Sequence, residues 1–523
     1  MDGKMTAGSN GAADDFTDFD RGNGGVRFGH AVDRSADGYS DFDDDFSADD
    51  FMPPAPEFPE DNGKFPPPFS LAGLDMLSPP GFVGDVAAWI DSQCRYPRRR
   101  LAVAAALATV GNIGGLRHED VRDGVTANIL AFCVAASATG KEAVQQAMAD
   151  LHLAAGVHYA MQGGIKSEQE IMRNLIENQA AFYIVDEIGI FLAKVRNAQR
   201  RGGAAYLEGV FGAIMSAYSK AGARLLLQGD IKRELRKMFG GILAKARDDG
   251  RDEDMAHADR MLRMVDEGLE RPFLSVVGFT TPSTFDGIMD GETATQGFVG
   301  RALIVSEKDL NPEAREDFRK RGLPDNIAMR LAQIFSGGDC DIMARKGRVE
   351  YLGDRVAVQT DADASEMLKV VSKWLHGYAD DMGEHTGEAS VAMIRRAYEL
   401  IAKISFVLAI PGGIRTVEHV RWAFAYVRAE VDAKVALVFA NDNSKARPEE
   451  SLAARLLNFM DPEKGVTISV LANRVKMKSG DIDATLRKMA GADLAVERAS
   501  GRKYRGKPVM LWHPVDRADL GGG

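Results

Sequence analysis

The residues whose types and spacing point most directly to chemistry lie in one loop of small residues, AASATGKE, at positions 135–142. A phosphate-binding loop needs small residues, so that successive backbone N–H groups can face phosphate oxygens at a helix N-terminus. It also needs a lysine for the terminal phosphates and a hydroxyl for Mg²⁺. Gly140 and Lys141 fit this pattern, whereas Ala135 replaces the first glycine and Glu142 replaces the Ser or Thr.

The loop therefore predicts a nucleotide site with ATP and Mg²⁺ as cofactors. The carboxylate of Glu142 can hold Mg²⁺ directly or through water, but it also places negative charge beside the phosphates. The candidate nucleotide-binding residues are Ala136, Ser137, Ala138, Thr139, Gly140, Lys141 and Glu142.

A second candidate group follows an apolar run, NQAAFYIVDEIGIF, at residues 178–191. Asp186 and Glu187 end this run, about 45 residues after Lys141. Acidic residues at the end of a strand with this spacing from a phosphate loop are typical of a Walker B motif. Asp186 would then bind Mg²⁺, and Glu187 would orient or deprotonate the attacking water. The alternative is that the Asp-Glu pair is only a solvated strand end or a helix cap.

Two further segments offer candidates for the terminal phosphate. RPFLSVVGFTTPSTF, at residues 271–285, is apolar until Thr280 and Thr281, and a hydroxyl at the end of a strand beside the loop strand can sense a γ-phosphate. TQGFVGRALIV carries Arg301, which can neutralise charge in phosphoryl transfer, either within the chain or across a subunit interface. The alternatives are a threonine that merely ends a strand and an arginine in a surface salt bridge.

The elements that position these residues can be read from the pattern of apolar residues. NILAFCVAA, at residues 128–136, predicts a buried strand, and residues 142–153 have helical spacing. Strand, loop and helix in this order are typical of a parallel sheet. Two helices are predicted before them, around residues 82–90 and 101–112, and a hairpin-like pair at 348–352 and 355–359 after them.

A long helical insert is predicted at residues 204–270, between the second and third core strands. Its segment GDIKRELRKMFGG places Lys232, Arg233, Arg236 and Lys237 on about two turns of helix. These side chains are candidates for contact with DNA phosphates. A solvated helix face is the alternative.

In the order of these parts the sequence resembles phage and prophage P-loop proteins described as DNA primase/helicase proteins. The resemblance covers about residues 80–440 and includes ATGKE, VDEIGIFL, VVGFTTPSTF and GFVGRALIV. It implies an α/β, RecA-like P-loop ATPase core at 80–360, related to replicative helicases, with a helical lid at 361–440. It also implies a homo-oligomer, of which a hexameric ring is one form.

A smaller module is predicted beyond a polar linker at residues 441–450. Residues 451–515 read as three helices followed by a hairpin with a basic turn, which is the order of a winged helix, and they carry 12 basic and 6 acidic residues. Docking of a protein is the alternative to DNA contact. The candidate DNA-binding residues are Lys476, Lys478, Arg487, Lys488, Arg502, Lys503, Arg505 and Lys507.

The N-terminal 79 residues are predicted to be disordered, because they are rich in Gly, Asp, Ser and Pro without a sustained apolar period. They hold 17 acidic and 5 basic residues, so this segment carries the excess behind the net charge of −11. Overall acidity therefore does not argue against DNA. The segment is either a solubilising tail or a motif that docks a replication protein or covers the chain's own DNA site. Its aromatic residues are Phe16, Phe19, Phe42, Phe46 and Phe51.

The cysteine spacing and the hydropathy pattern argue against disulfide-rich, zinc-binding and membrane-spanning proteins. Three cysteines without metal-ligand spacing suggest neither disulfides nor zinc, and the most apolar run, 101–110, is half the length of a membrane span. We expect a cytoplasmic protein without a membrane partner, and a short disordered tail at 516–523. Together, the phosphate-loop motifs and the family resemblance predict an ATP-dependent DNA replication protein, a P-loop ATPase, and its helicase type is what the resemblance implies. The alternative, which Glu142 favours, is a non-motor DNA-binding initiator, helicase loader or regulator.

Overall fold

A five-stranded parallel sheet forms the centre of the protein. The computed structural model describes residues 65–137, 139–201, 209–286, 298–307, 312–337, 355–386 and 388–446, and most residues between 452 and 514 (not 453–455, 458, 462–463, 476, 492–493 or 505–506). The strands are β1 (His118–Asp120), β2 (Leu130–Val134), β3 (Met161–Gln162), β4 (Ala180–Val185), β5 (Arg224–Leu225), β6 (Leu269–Glu270), β7 (Phe273–Thr280), β8 (Leu303–Ser306), β9 (Val356–Thr360), β10 (Ile414–Arg415), β11 (Ala495–Tyr504) and β12 (Lys507–Pro514).

The central sheet has the order β3-β4-β7-β2-β8, and every neighbouring pair is parallel. Strands β2 and β7 are buried along their whole length, which explains their continuous apolar sequences. In this order β7 separates β2 from β4. The carboxyl ends of β2, β7 and β4 therefore lie side by side at one edge of the sheet.

Helices pack against the sheet and make up much of the described chain. They are α1 (Phe82–Ser92), α2 (Arg99–Gly114), α3 (Lys141–Ala154), α4 (Glu168–Asn178), α5 (Ile188–Arg201), α6 (Val210–Ser219), α7 (Gly229–Asp248), α8 (Asp252–Glu267), α9 (Pro282–Asp286), α10 (Phe298–Arg301), α11 (Asp325–Ser336), α12 (Ala362–Thr386), α13 (Glu388–Ala409), α14 (Val417–Ala446), α15 (Ile468–Val475) and α16 (Ser479–Gly491). Within these described residues, no helix combines the length and the apolar character needed to cross a membrane.

The predicted core and helical lid share one hydrophobic core. Helix α2 is buried from Leu101 to Gly114, and it packs against α3 and α13 and against strands of the sheet. Helices α12, α13 and α14 contribute to the same buried cluster. Helix α14 continues to Ala446, into the predicted linker. Of the predicted hairpin, the first strand lies outside the described residues, and the second is β9, which pairs in parallel with β1 and β10.

The prediction of disorder up to residue 79 is wrong for residues 65–79. The ring of Phe65 lies 6.5 Å from that of Trp374, and the ring of Phe69 lies 5.0 Å from that of Phe424. The indole of Trp422 donates a hydrogen bond to the carbonyl of Asp75. The composition predicted disorder, but these contacts partly bury Phe65 and Phe69 against α12 and α14. The five phenylalanines of the N-terminal motif lie outside the described residues.

The C-terminal module has its own small hydrophobic cluster, which includes Leu471, Ile482, Leu486 and Trp512. Helices α15 and α16 precede the antiparallel pair β11–β12, whose register shifts between Ala499 and Lys503. Val466 forms an additional antiparallel bridge to Trp512. Only part of the first predicted helix is described.

Candidate functional site

The loop between β2 and α3 begins at the carboxyl edge of the sheet. The backbone N–H of Ala135 donates to the carbonyl of Thr280, which ties the start of the loop to the end of β7 (3.1 Å). The hydroxyl of Thr139 donates to the carbonyl of Ala136 (2.7 Å) and closes a turn within the loop. Of the predicted loop residues, Ala138 lies outside the described residues.

Gly140 stands directly before α3 with a φ of +87°. Only glycine adopts this left-handed conformation without a steric cost, and it allows the chain to turn sharply from the loop into the helix. Helix α3 therefore begins at Lys141, with its N-terminal N–H groups at the loop. A helix N-terminus in this position favours an anion.

Lys141 is buried at this helix start, with its side chain 4% exposed. Its ammonium lies 3.8 Å from Oε1 of Glu187, and it has no hydrogen-bond partner among the described residues. Withdrawing an ammonium from water costs several kcal/mol unless charge and hydrogen bonds compensate for it. One carboxylate at 3.8 Å compensates only in part for this cost. Further negative charge close to Lys141 would therefore be stabilising.

Asp186 and Glu187 follow β4, as predicted, and the structure brings both to the loop. The amide of Gln145, on α3, donates to Oδ1 of Asp186 (3.2 Å), and so does the backbone N–H of Glu187 (2.9 Å). Glu187 has a φ of +49°, which is unusual for a residue other than glycine. Such conformations persist where the surrounding structure enforces them, and they are frequent at functional sites.

Thr280 ends β7 between the loop strand and the Asp186 strand. It is fully buried, and its hydroxyl has no hydrogen-bond partner among the described residues. A buried hydroxyl without a partner costs free energy, so Thr280 is a second polar group that a ligand could satisfy. The neighbouring Thr281 has its hydroxyl 2.7 Å from that of Thr284, in α9.

The acid that replaces the usual hydroxyl, Glu142, is exposed in the first turn of α3. It lines a cavity of about 370 Å³ together with Gln145 and Gln162. No group of three His, Cys, Asp or Glu side chains forms a metal site in the described part of the chain. Mg²⁺ is commonly held by one or two carboxylates together with substrate phosphates, and Asp186, which contacts Gln145 of α3 at the end of β4, fits that arrangement.

Arg301 lies near the amino ends of the strands, whereas the loop lies at their carboxyl ends. It precedes β8, which runs parallel to β2, with Leu303 opposite Ala131. About five or six residues of strand separate the level of Arg301 from the loop that follows β2. At about 3.3 Å per residue, this separation is some 15–20 Å. A role toward a nucleotide held by its own chain, one of the two predicted options, is therefore incompatible with the fold.

Arg301 lies near ionisable side chains of both signs, which include Arg396 and Glu399. Burial, and to a smaller extent the charge of Arg301, lower the pKa of Arg396, whereas the charge of Glu399 opposes this shift. Nearby, the buried ammonium of Lys403 donates to Oδ1 of Asn128 (2.6 Å) and lies over the ring of Tyr218. Burial lowers the pKa of Lys403 to about 8.

Of the predicted DNA-contacting residues in the insert, two are engaged within the protein. Lys232 donates to the carbonyl of Asp266 on α8 (2.5 Å), and Arg236 pairs with the carboxylate of the same residue. Arg233 and Lys237 are exposed on α7. The structure therefore divides the cluster into two residues that join the helices and two that face solvent.

In the C-terminal module, Lys478, Arg487 and Lys488 are exposed on or beside α16, and Arg487 pairs with Asp483 (3.0 Å). Lys476 and Arg505 lie outside the described residues. The backbone of Arg502, Lys503 and Lys507 belongs to β11 and β12, but the positions of their side chains are not described.

One buried contact at the loop was not predicted. The guanidinium Nε of Arg98 donates to the carbonyl of Thr139 (2.6 Å), and Arg98 is 1% exposed. The only signal in the sequence is the basic run PRRR, residues 97–100, where the apolar helix α2 begins. Gln145 was also missed, since its role depends on the approach of α3 to the end of β4.

The sequence matches no model of a known protein family, and a comparison with curated proteins finds no similar sequence.

Proposed function

We propose that the carboxyl edge of the sheet binds a nucleoside triphosphate, with ATP as the expected ligand, together with Mg²⁺. The observation that carries the proposal is the ammonium of Lys141, which is buried at a helix N-terminus with only a carboxylate 3.8 Å away. A phosphate would supply the missing negative charge and hydrogen-bond acceptors. The hydroxyl of Thr280 is a second donor without a partner, next to the same loop.

The residues around this ammonium fit a hydrolytic site of the RecA-like type. Lys141 would oppose the charge of the terminal phosphates, and Thr280 would donate to a phosphate oxygen. Asp186 would hold Mg²⁺, which when bound neutralises phosphate charge. Glu187 would orient the attacking water and accept its proton, because its carboxylate is half-exposed and already within reach of Lys141. A site that only binds nucleotide has little need for Glu187.

A homo-oligomer is part of the proposal. Arg301 is too far from its own loop to act there, so its role in phosphoryl transfer requires the nucleotide of a neighbouring subunit. A closed ring, such as a hexamer, repeats this contact at every interface.

DNA is the proposed substrate of the motor. Support comes from the exposed Arg233 and Lys237 on α7, and from the basic C-terminal module. The order of α15, α16 and the β11–β12 hairpin, with the bridge from Val466, supports a winged helix. We infer an ATP-dependent DNA replication protein of helicase type.

A second candidate is a non-motor DNA-binding protein in which nucleotide acts as a switch. The exposed Glu142 favours it, since this carboxylate stands where the loop pattern has a hydroxyl and adds negative charge near the phosphates. Hydrolysis distinguishes the two candidates.

The test is ATP hydrolysis by the purified full-length chain, with and without single- and double-stranded DNA. Lys141→Ala and Glu187→Gln are the informative variants, and Lys220→Ala, an exposed lysine at the end of α6, is the matched control. We expect turnover that DNA stimulates and that both site variants lose. Salt-dependent DNA binding without turnover above these variants would favour the second candidate.

A further inference from the structure

Arg98 approaches the candidate phosphate loop from the end of the α1–α2 connection. Its Nε–H donates to the carbonyl of Thr139, 41 residues along the chain, at 2.6 Å. Both residues are buried, at 1% and 8% exposure. A hydrogen bond from a charged group to a buried carbonyl is among the stronger ones in proteins, because neither partner can turn to water instead.

This bond fixes the orientation of one peptide group. The Thr139 carbonyl belongs to the same planar peptide as the N–H of Gly140, and in a trans peptide the two point in opposite directions. With the carbonyl directed at Arg98, the N–H of Gly140 faces away from Arg98. The left-handed φ of Gly140 then leads directly into Lys141 and α3.

Arg98 is itself held in place by its neighbours. Its backbone N–H donates to Oδ1 of Asp91 (2.6 Å), and its carbonyl accepts from Ala102 in the first turn of α2 (2.8 Å). Glu307 accepts from the N–H groups of Arg100 and Leu101 at the same helix start, and its own N–H donates to Val134 (3.0 Å).

The carboxylate of Glu307 is close enough to Arg98 for their charges to interact. Burial raises the pKa of Glu307, and the charge of Arg98 opposes that rise, so the two side chains interact beneath the loop. The network thus connects α1, α2, β8 and the end of β2 to one carbonyl of the loop.

We propose that Arg98 is a positioning residue for nucleotide binding, which holds the Thr139–Gly140 peptide so that the Gly140 N–H is available to a phosphate oxygen. The inference rests on the proposed nucleotide site and extends it to a residue outside the loop. Arg98 acts through Thr139 and does not itself touch the nucleotide.

The test compares Arg98→Met and Arg98→Lys with Arg315→Met in the full-length chain. Arg315 is the matched control, because its guanidinium binds the Asp91 carboxylate and the carbonyls of Asp91 and Cys94, on the same connection. Two quantities are measured: the Kd for a fluorescent ATP analogue with Mg²⁺, and the thermal midpoint without nucleotide. Lys141→Ala reports on the site itself.

We expect Arg98→Met to raise the Kd about 10-fold or more relative to Arg315→Met, at a similar loss of thermal midpoint. Arg98→Lys should recover part of the affinity, since it keeps the charge but lacks the planar donor group. A purely structural role would lower the midpoint and leave the Kd of the folded protein unchanged, and that result would overturn the inference.

Failure of the two proposals can be distinguished. If the wild type binds and Lys141→Ala does not, while Arg98→Met binds as well as Arg315→Met, only the inference about Arg98 is wrong. If the wild type shows no saturable binding, the nucleotide site and the role of Arg98 are both wrong. Should Arg98→Met fail to fold, the Kd of Arg98→Lys decides, with an unchanged value contradicting the inference.

Discussion

Lys141 and Glu187 form an unusual pair, because the ammonium is buried whereas the carboxylate is half-exposed. A buried charge without hydrogen bonds is unfavourable, so the pair is better explained by a ligand that completes it than by stability. Glu187 then has two roles. It is the ionic partner of Lys141 in this structure. Once a phosphate replaces it beside Lys141, it can accept a proton from water.

This dual role leads to a prediction for Glu187→Gln. The variant keeps the shape of the side chain but removes the charge that competes with phosphate for Lys141. We expect nucleotide affinity to be unchanged or higher, while turnover falls about 10²-fold or more, as is typical when a general base is lost. Equilibrium binding and steady-state hydrolysis together check it. A parallel loss of affinity and turnover would assign Glu187 to binding alone.

Local patterns in the sequence predicted Lys141, Asp186, Glu187 and Thr280, because each follows directly on an apolar strand or a small-residue loop. The same patterns could not predict Arg98 or the position of Arg301. The bond from Arg98 joins residues 41 positions apart, and the location of Arg301 depends on which edge of the sheet β8 starts from. Such contacts depend on packing between distant segments, which no short pattern contains.

Among the elements, β7 and α5 determine the surroundings of the Thr280 hydroxyl. A Cβ added to Gly189, in the first turn of α5, would lie 2.4 Å from Oγ1 of Thr280. Gly212, in α6, is a suitable control because a Cβ there would meet nothing within 4 Å.

We therefore expect Gly189→Ala to lower the free energy of unfolding by about 1–3 kcal/mol and to reduce turnover, since the Thr280 hydroxyl must move. Gly212→Ala should instead stabilise the protein by about 0.5–1 kcal/mol, because alanine is the better helix former. Urea unfolding and hydrolysis assays check both. Full turnover in a stable Gly189→Ala protein would show that the position of Thr280 is not important.

Helix α3 is fixed to the core by His152, which is fully buried. Its Nδ1 lies 2.7 Å from the Met148 carbonyl, and its Nε2 lies 3.1 Å from the amide of Asn112 on α2. Burial lowers the pKa of His152 to about 4, from an ordinary value of 6.5.

The unfolded chain therefore binds a proton between pH 6.5 and 4 that the folded protein does not bind, and stability must fall as the pH decreases through this window. We expect His152→Gln to be less stable at pH 7 but to show a shallower decrease toward pH 4. Urea unfolding of both proteins at several pH values measures the difference. Parallel curves would contradict a buried neutral histidine.

Apolar runs predicted the strands β2, β4 and β7 and the helices before the loop, because burial on both faces leaves a continuous signal. The sheet order was not predictable from them, since pairing between parallel strands is decided by packing. Residues 65–79 show the converse error. Their composition indicated disorder, but Phe65 and Phe69 contact aromatic side chains on α12 and α14.

At the scale of the whole molecule, charge is unevenly distributed. The net charge is −11, yet basic side chains are exposed on α7 and on the C-terminal module. The two adjacent residues Lys232 and Arg233 differ in their contacts. Lys232 is bonded to Asp266 on α8, whereas Arg233 faces solvent.

Arg233→Gln should weaken DNA binding across sequences and reduce the slope of log K against log salt by about 1. Lys232→Gln should lower stability, because it loses the bond to α8, with a smaller effect on that slope. Fluorescence anisotropy of labelled DNA at several salt concentrations measures both. Equal slopes in the two variants and the wild type would show that α7 is not part of the DNA interface.

The central claim is that the carboxyl edge of the sheet is a triphosphate site, and it is tested most directly by equilibrium binding of ATP with Mg²⁺. The comparison is between the wild type, Lys141→Met and the exposed control Lys220→Met. We predict saturable binding to the wild type and to Lys220→Met, and a Kd at least about 10-fold higher for Lys141→Met. Equal binding by all three proteins, or by none of them, would contradict the claim.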